Sequence, residues 1–151
     1  MMQSLFPDAE FSKQERAAEL DQQIVLLTAG KPGGPFNLQL TPDESAVLRA
    51  IRFHRGASNA IPIRELRSRI KLTDRQIKQI VRTLRVSYHL PIGSSKDAID
   101  GGYFLILTAE DQKVFDASFL EQVRAQVQAH RCAAGPTRTR ELLGQLLLEV
   151  Q

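Results

Sequence analysis

Cysteine is nearly absent from this chain of 151 residues, and so are long apolar runs. The single cysteine, Cys132, excludes an intramolecular disulfide and indicates a reducing compartment, for which the cytoplasm is the default. No apolar run approaches the roughly 20 residues that a membrane-spanning helix needs. The first sixteen residues have no apolar stretch behind a basic start, so no signal peptide is predicted. We therefore expect a cytoplasmic protein without a membrane segment.

Patterns for metal binding and catalysis are also missing. The three histidines and Cys132 include no pair at zinc-finger spacing, and a zinc site needs three or four protein ligands. The stretch "GKPGG" lacks the spacing of a phosphate-binding loop. Ser94 and Ser95 have no base close in sequence, and nothing resembles a nucleophile elbow. The sequence therefore predicts no metal, no cofactor and no enzymatic activity.

Positive charge is abundant, and it is concentrated in one segment. The whole chain carries a net charge of only +3, but residues 41–96 hold twelve Lys and Arg against four acids, a balance of +8. Residues 1–40 carry −2 and residues 97–151 carry −3. A cationic module between mildly anionic flanks is typical of proteins that bind polyanions.

Helical periodicity and capping residues divide the chain into segments. Residues 1–12 have no period, and residues 13–29 carry apolar side chains at helical spacing before the Gly- and Pro-rich linker 30–35. Thr41, Pro42 and Glu44 form a capping box with proline at the first helical position, and Gly56 is expected to end that helix. The remaining predictions are extended pieces at 36–40 and 60–63, helices at 64–70 and 74–86, strands at 90–95 and 101–107, and helices at 108–130 and 138–150.

The helix predicted from Asp74 to about Val86 has one apolar and one basic face. Thr73 and Gln76 form its capping box, and its apolar side chains recur at i, i+3, i+4 and i+7. The apolar set is Ile77, Ile80, Val81 and Leu84; the opposite set is Arg75, Lys78, Gln79 and Arg82, flanked by Gln76, Thr83 and Arg85. Arg can pair bidentately with guanine, Gln with adenine, and either Lys or Arg with phosphate.

The segment "RQIKQIVRTLR" is followed by "LPIGSS", a polar loop and "GGYFLI". This succession resembles the N-terminal winged helix-turn-helix domains of bacterial repressors such as the biotin operon repressor, over roughly residues 41–107. The resemblance implies a recognition helix in the major groove and a β-wing on the backbone. Those repressors continue into an effector-binding or catalytic domain, whereas here only helices are predicted to follow.

The predicted fold is mainly α with a small β-hairpin: a winged helix-turn-helix domain with additional N- and C-terminal helices. We divide the chain into an N-terminal arm (1–35), the winged domain (36–108) and a C-terminal helical extension (109–151). Of Tyr103 and Phe104, alternation predicts that one faces inward. The expected DNA-binding residues are Lys71, Thr73, Arg75, Gln76, Lys78, Gln79, Arg82, Thr83, Arg85, Ser95 and Lys96.

Two main functions follow from this interpretation; a third, a subunit of a nucleic-acid enzyme, ranks last because the sequence has no acid-base or metal cluster. The first is a transcriptional regulator of bacterial or phage type that binds double-stranded DNA as a homodimer through its extra helices. The alternative is a replication or primosome accessory protein whose winged helix docks on another protein. The basic stripe could also be a merely solvated helix face, which is the ordinary role of surface charge.

Overall fold

The computed structural model describes residues 11–28, 40–96 and 101–150, and it confirms a mainly α-helical protein with one small β-hairpin. The predicted linker 30–35, residues 1–10, nearly all of the extended piece 36–40 and the hairpin loop residues 97–100 lie outside the described residues. The helices are α1 (Phe11–Thr28), α2 (Pro42–Ile51), α3 (Ile63–Ile70), α4 (Asp74–Val86), α5 (Ala109–Ala134) and α6 (Pro136–Glu149); the strands are β1 (Ile92–Ser95) and β2 (Gly102–Leu105).

The chain divides into two compact units, Met1–Phe115 and Asp116–Gln151. In the first unit, helices α2, α3 and α4 pack on one another, and α1 packs on α2. Of the four predicted inward positions of α4, Ile77, Val81 and Leu84 are buried, and Ile80 is only partly buried against the same core. The core also holds Leu20, Ile24, Val47, Leu48, Ile51, Ile61, Leu66, Leu90, Ile92, Tyr103, Leu105 and Leu107.

Helix α2 begins as predicted but ends earlier. The Thr41 hydroxyl accepts a hydrogen bond from the Glu44 amide at 3.2 Å, which satisfies one free N–H of the first turn. Within the described residues, α2 shows only the Thr41 half of the predicted capping box, and the buried Oε2 of Glu44 has no hydrogen-bond partner there. The helix ends at Ile51 rather than Gly56, since the chain turns to pair with β2: the Leu105 amide donates to the His54 carbonyl at 2.8 Å.

An extended residue before α3, Ile61, joins the hairpin to the helices. Strands β1 and β2 pair antiparallel, and on the other edge of β2 Tyr103 exchanges two backbone hydrogen bonds with Ile61, at 2.8 and 2.9 Å. The predicted extended link before α3 is therefore confirmed at Ile61. Gly102 makes the close approach possible: its φ is +148°, and a Cβ there would lie 2.1 Å from the Ile61 carbonyl oxygen.

Both aromatic residues of β2 are buried, which corrects the prediction that only one faces inward. Tyr103 belongs to the main core, on the same face as Leu105. Phe104 points to the opposite face and lies against Gly93, where an added Cβ would come within 2.6 Å of its ring. Alternation of the strand was predicted correctly, but the hairpin is covered on both faces.

Helix α5 starts with the predicted cap and runs further than expected. The Thr108 hydroxyl accepts from the Asp111 amide, and an Asp111 carboxylate oxygen accepts from the Thr108 amide. The helix continues to Ala134, and the break comes only at Gly135, whose φ is +89°. Helix α6 accordingly begins at Pro136, two residues before the predicted Arg138.

The second unit contains the rest of α5 and all of α6. At the turn between them, Nδ1 of His130 lies 2.6 Å from the Thr139 hydroxyl, which itself donates to the Gly135 carbonyl at 3.0 Å. Thr139 is buried there, whereas most of the large apolar side chains of this unit are exposed. The exposed set comprises Phe119, Leu120, Leu143, Leu146, Leu147, Leu148 and Val150.

Candidate nucleic-acid interface

Helix α4 is anchored by strong local signals at its first residues. The Thr73 hydroxyl accepts from the Gln76 amide at 3.2 Å, and the Gln76 side-chain oxygen accepts from the Thr73 amide at 2.9 Å. This is the complete capping box predicted from the sequence. Lys71 closes α3 in the left-handed conformation, with φ of 58°, so that only two residues separate the end of α3 from this cap.

Two of the predicted DNA-binding residues therefore have a structural task at the start of α4. The Thr73 hydroxyl and the Gln76 side-chain oxygen bond to each other and to backbone amides. Thr83 likewise bonds within the helix, because its hydroxyl donates to the Gln79 carbonyl at 3.1 Å. Their direct contribution to a ligand stays a prediction.

The outer face of α4, defined as Arg75, Lys78, Gln79 and Arg82, is exposed to solvent. It lies opposite the buried Ile77, Val81 and Leu84, as the helical period requires. Within residues 11–28, 40–96 and 101–150, none of these four side chains makes a hydrogen bond or an ion pair. Three cations and one amide are thus presented together on a rigid element.

Several other cations of the basic segment are paired with acids. Arg55 pairs with Asp21 of α1, and Arg69 pairs with Glu65 on the same helix. Arg67 lies 3.4 Å from Asp74, across the turn between α3 and α4. These three arginines lie on α3 or in the loop after α2, so ion pairing leaves the three cations of the outer face of α4 available, as it does the exposed Arg49, Arg64 and Lys71 elsewhere in the segment.

Arg85 is directed away from the outer face. Its Nε donates to the Ile92 carbonyl at 2.7 Å, and its Nη2 donates to the Ser94 hydroxyl at 3.3 Å. Burial lowers the pKa of the Arg85 guanidinium, an effect that the neighbouring Tyr103 opposes. The structure therefore places this predicted DNA-binding residue against β1.

The hairpin contributes the other predicted contacts. Ser95 is the last residue of β1, and Lys96 follows it with an exposed side chain. Lys71 is also exposed, but it lies at the end of α3. The structure thus brings Arg75, Lys78, Gln79 and Arg82 onto one face, while Lys71, Ser95 and Lys96 belong to neighbouring elements.

One exposed residue of α4 was missed by the sequence interpretation. Val86 is 64% exposed, and at 100° per residue it falls between Arg75 and Gln79 around the helix. Phe53 is another large apolar residue of the first unit that is exposed, at 75%. The helical period alone could have identified Val86, whereas Phe53 is displaced because α2 has already ended at Ile51.

A shallow groove of about 430 Å³ borders the outer face of α4. It lies where the first turn of α2 approaches the N-terminal half of α4, so that the amino ends of two helices border it. An approaching anion would benefit from both helix dipoles there, although the carboxylate of Asp43 opposes it. The groove is lined by Thr41, Asp43, Arg75, Gln76, Gln79 and Ile80.

The described ranges contain neither a metal site nor a membrane span. Among those residues, no three His, Cys, Asp or Glu side chains are grouped so that they could hold a metal ion. The helices that the structure describes include none with the length and apolar content needed to cross a bilayer. No family model matches the sequence, and no match to a curated protein was found.

Proposed function

We propose that this protein is a DNA-binding transcriptional regulator of bacterial or phage type. In this proposal the unit from α2 to β2 is a winged helix-turn-helix, α4 enters the major groove, and the hairpin β1–β2 lies along the backbone. One observation carries the proposal: the outer face of α4 presents three cations and an amide together on one exposed helix face, and none of these side chains has a partner among the described residues.

The chemistry of that face suits a duplex. Arg75 and Arg82 carry planar guanidinium groups that match the two acceptors of guanine, and the Gln79 amide matches the donor and acceptor of adenine. Lys78 lies to one side of them around the helix, where an ammonium can meet a phosphate. Helix α4 has 13 residues, and its length of about 20 Å is enough to follow several base pairs.

The buried face explains why the outer face can be presented at all. Ile77, Val81 and Leu84 hold α4 on α2 and α3 and leave its opposite side unobstructed by either helix. The order of three helices followed by a hairpin agrees with the resemblance to the repressor domains noted above. Affinity would come mainly from phosphate contacts and counterion release, and specificity from the side chains of α4.

We further propose that the protein acts as a homodimer in the cytoplasm. A single winged helix contacts only a few base pairs, so paired half-sites are the usual route to specificity. The exposed apolar residues of α5 and α6, such as Phe119 and Leu147, offer surface for association. Two-fold dimers are also the commonest protein assembly.

The alternative is a protein-docking module of a replication or primosome complex. It is supported by the exposed Val86 on α4, because a protein partner can bury an apolar side chain that is surrounded by cations. In that case the outer face of α4 would be covered by another protein and would not bind duplexes of any sequence.

Selection from a random duplex library at several salt concentrations tests the proposal. We expect enrichment of a defined sequence, and an affinity whose logarithm falls linearly with the logarithm of salt concentration. Arg82→Ala should weaken that binding, whereas Arg138→Ala should not; Arg138 is an exposed arginine on the opposite side of α6 from Leu147 and is the matched control. Absence of duplex binding by the wild-type chain would contradict the proposal and favour the docking alternative.

A further inference from the structure

Arg85 joins three elements of the first unit. It belongs to the last turn of α4, and its guanidinium bonds to the Ile92 carbonyl and the Ser94 hydroxyl of β1. On its other side the guanidinium carbon lies 5.1 Å from the centre of the Phe115 ring, in the second turn of α5. One side chain thus connects the exposed helix, the hairpin and the helix that follows the hairpin.

The hydrogen bond from Arg85 to Ile92 pairs a backbone carbonyl on the edge of β1 that faces away from β2. Ile92 is opposite Leu105 in the strand register, but the Leu105 amide donates to the His54 carbonyl, and its carbonyl accepts from the Gly56 amide. The Ile92 carbonyl therefore points away from β2, toward α4. Arg85 provides for this carbonyl what a third strand would provide, a short N–H donor at 2.7 Å.

The position of Ser94 extends this connection toward the loop of the hairpin. Ser94 lies two residues before Lys96, the exposed cation that we assign to the DNA backbone. Arg85 bonds to β1 at both Ile92 and Ser94, so it restrains two alternate residues of this strand. Displacing the guanidinium would free the part of β1 that leads to Lys96.

We propose that Arg85 is a positioning residue that fixes the hairpin relative to α4, so that the outer face of α4 and Lys96 can contact one duplex together. The inference rests on the proposed DNA binding and assigns Arg85 an indirect role in it. A lysine cannot substitute, because its single ammonium lacks the planar pair of donors and the stacking face of the guanidinium. Arg85→Lys therefore keeps the positive charge but removes the paired hydrogen bonds to β1 and the stacking on Phe115.

The first test is a double-mutant cycle on full-length protein with the selected duplex. Arg85→Lys is expected to weaken binding about tenfold, as the loss of a charged hydrogen bond would. Lys96→Ala should weaken the wild type but should have little further effect in the Arg85→Lys background, because the hairpin is already misplaced. Arg82→Lys is the control, and its effect should combine additively with that of Lys96→Ala.

Hydrogen exchange of the free protein supplies a measurement that does not need DNA. In Arg85→Lys, the amides of β1 should exchange faster, while those around Leu84 in α4 keep their protection. Uniformly faster exchange would show a general loss of stability and would overturn the positioning role. Additive effects of Arg85→Lys and Lys96→Ala would overturn it as well.

The two proposals can fail separately. If the wild-type chain binds no duplex, the proposed function fails, while selective exchange in β1 would still support Arg85 as the anchor of the hairpin. If the wild type binds a selected duplex and Arg85→Lys binds it equally well, the proposed function stands and the role of Arg85 is overturned.

Discussion

The Asp111 carboxylate of α5 accepts a hydrogen bond from the backbone N–H of Ala57, 54 positions earlier in the chain, at 2.9 Å. Its other oxygen accepts from the amides of Leu107 and Thr108, each at 3.0 Å. The side chain is buried, so its charge is balanced by three backbone N–H dipoles. Asp111 thereby ties the loop after α2 to the junction between β2 and α5.

Removing this carboxylate should destabilise the first unit. Asp111→Ala leaves three backbone donors without their acceptor, and we expect a loss of about 2–3 kcal/mol in the free energy of unfolding. Asp111→Asn keeps one carbonyl oxygen and should lose less. Urea denaturation of both variants measures the difference, and equal losses would mean that the oxygen kept by Asn accepts no stabilising bond, which would contradict the assigned role of the carboxylate.

The packing of α4 can be tested with two apolar residues of the same helix. Leu84 is fully buried, so Leu84→Ala should cost about 2–5 kcal/mol through lost contacts and a cavity. Val86→Ala is the matched control, because an exposed side chain should change stability by no more than about 0.5 kcal/mol. The denaturant midpoints of the two variants are compared. A larger shift for Val86→Ala than for Leu84→Ala would mean that the buried and exposed faces of α4 are interchanged.

Gly102 should tolerate no side chain. Gly102→Ala would place its Cβ against the Ile61 carbonyl in a backbone conformation that L-residues rarely adopt, so the pairing of Ile61 with Tyr103 must break. Gly144 in α6 has no atom within 4 Å of an added Cβ, and Gly144→Ala should keep or slightly raise helix stability. Thermal unfolding followed by circular dichroism compares the two. A Gly102→Ala protein as stable as the wild type would contradict the observed close approach.

Side chains that contact bases and those that contact phosphates should differ in selectivity. Arg75→Ala or Gln79→Ala should weaken the preferred duplex by about 1–3 kcal/mol and affect other sequences less. Lys96→Ala should weaken all sequences alike and reduce the slope of affinity against salt. Fluorescence anisotropy with matched and scrambled duplexes separates these effects. Equal, sequence-independent losses in all three variants would remove the assigned recognition role of α4.

The homodimer can be tested by mass. Sedimentation equilibrium at micromolar concentration should give twice the chain mass of 16.9 kDa. Leu147→Lys should shift the mass toward the monomer, because it places a charge on the exposed apolar surface of α6. Gln145→Lys introduces the same charge at an exposed position on the opposite side of α6 from Leu147, and this control should leave the mass unchanged. A wild-type mass that stays near 16.9 kDa would defeat the dimer.

The sequence alone determined the features that depend on neighbouring residues. The cap of α4 needs only Thr73 and Gln76, three positions apart, and the burial of Ile77, Val81 and Leu84 follows from the helical period. Both were predicted correctly, as was the exposed outer face. The residues involved lie within one or two turns of the same helix, so their spacing in the sequence is enough to predict both the cap and the buried face.

Tertiary structure decided the features that depend on residues distant in sequence. Helix α2 ends at Ile51 because the following residues pair with β2, and Phe104 is buried together with Tyr103 because the hairpin is covered on both faces. Arg85 bonds to β1 instead of joining the outer face, although its place in the sequence is equivalent to that of a surface arginine. The number of charged residues can be read from the sequence. Which of them form hydrogen bonds or ion pairs depends on the fold, because these interactions act over only a few ångströms in space.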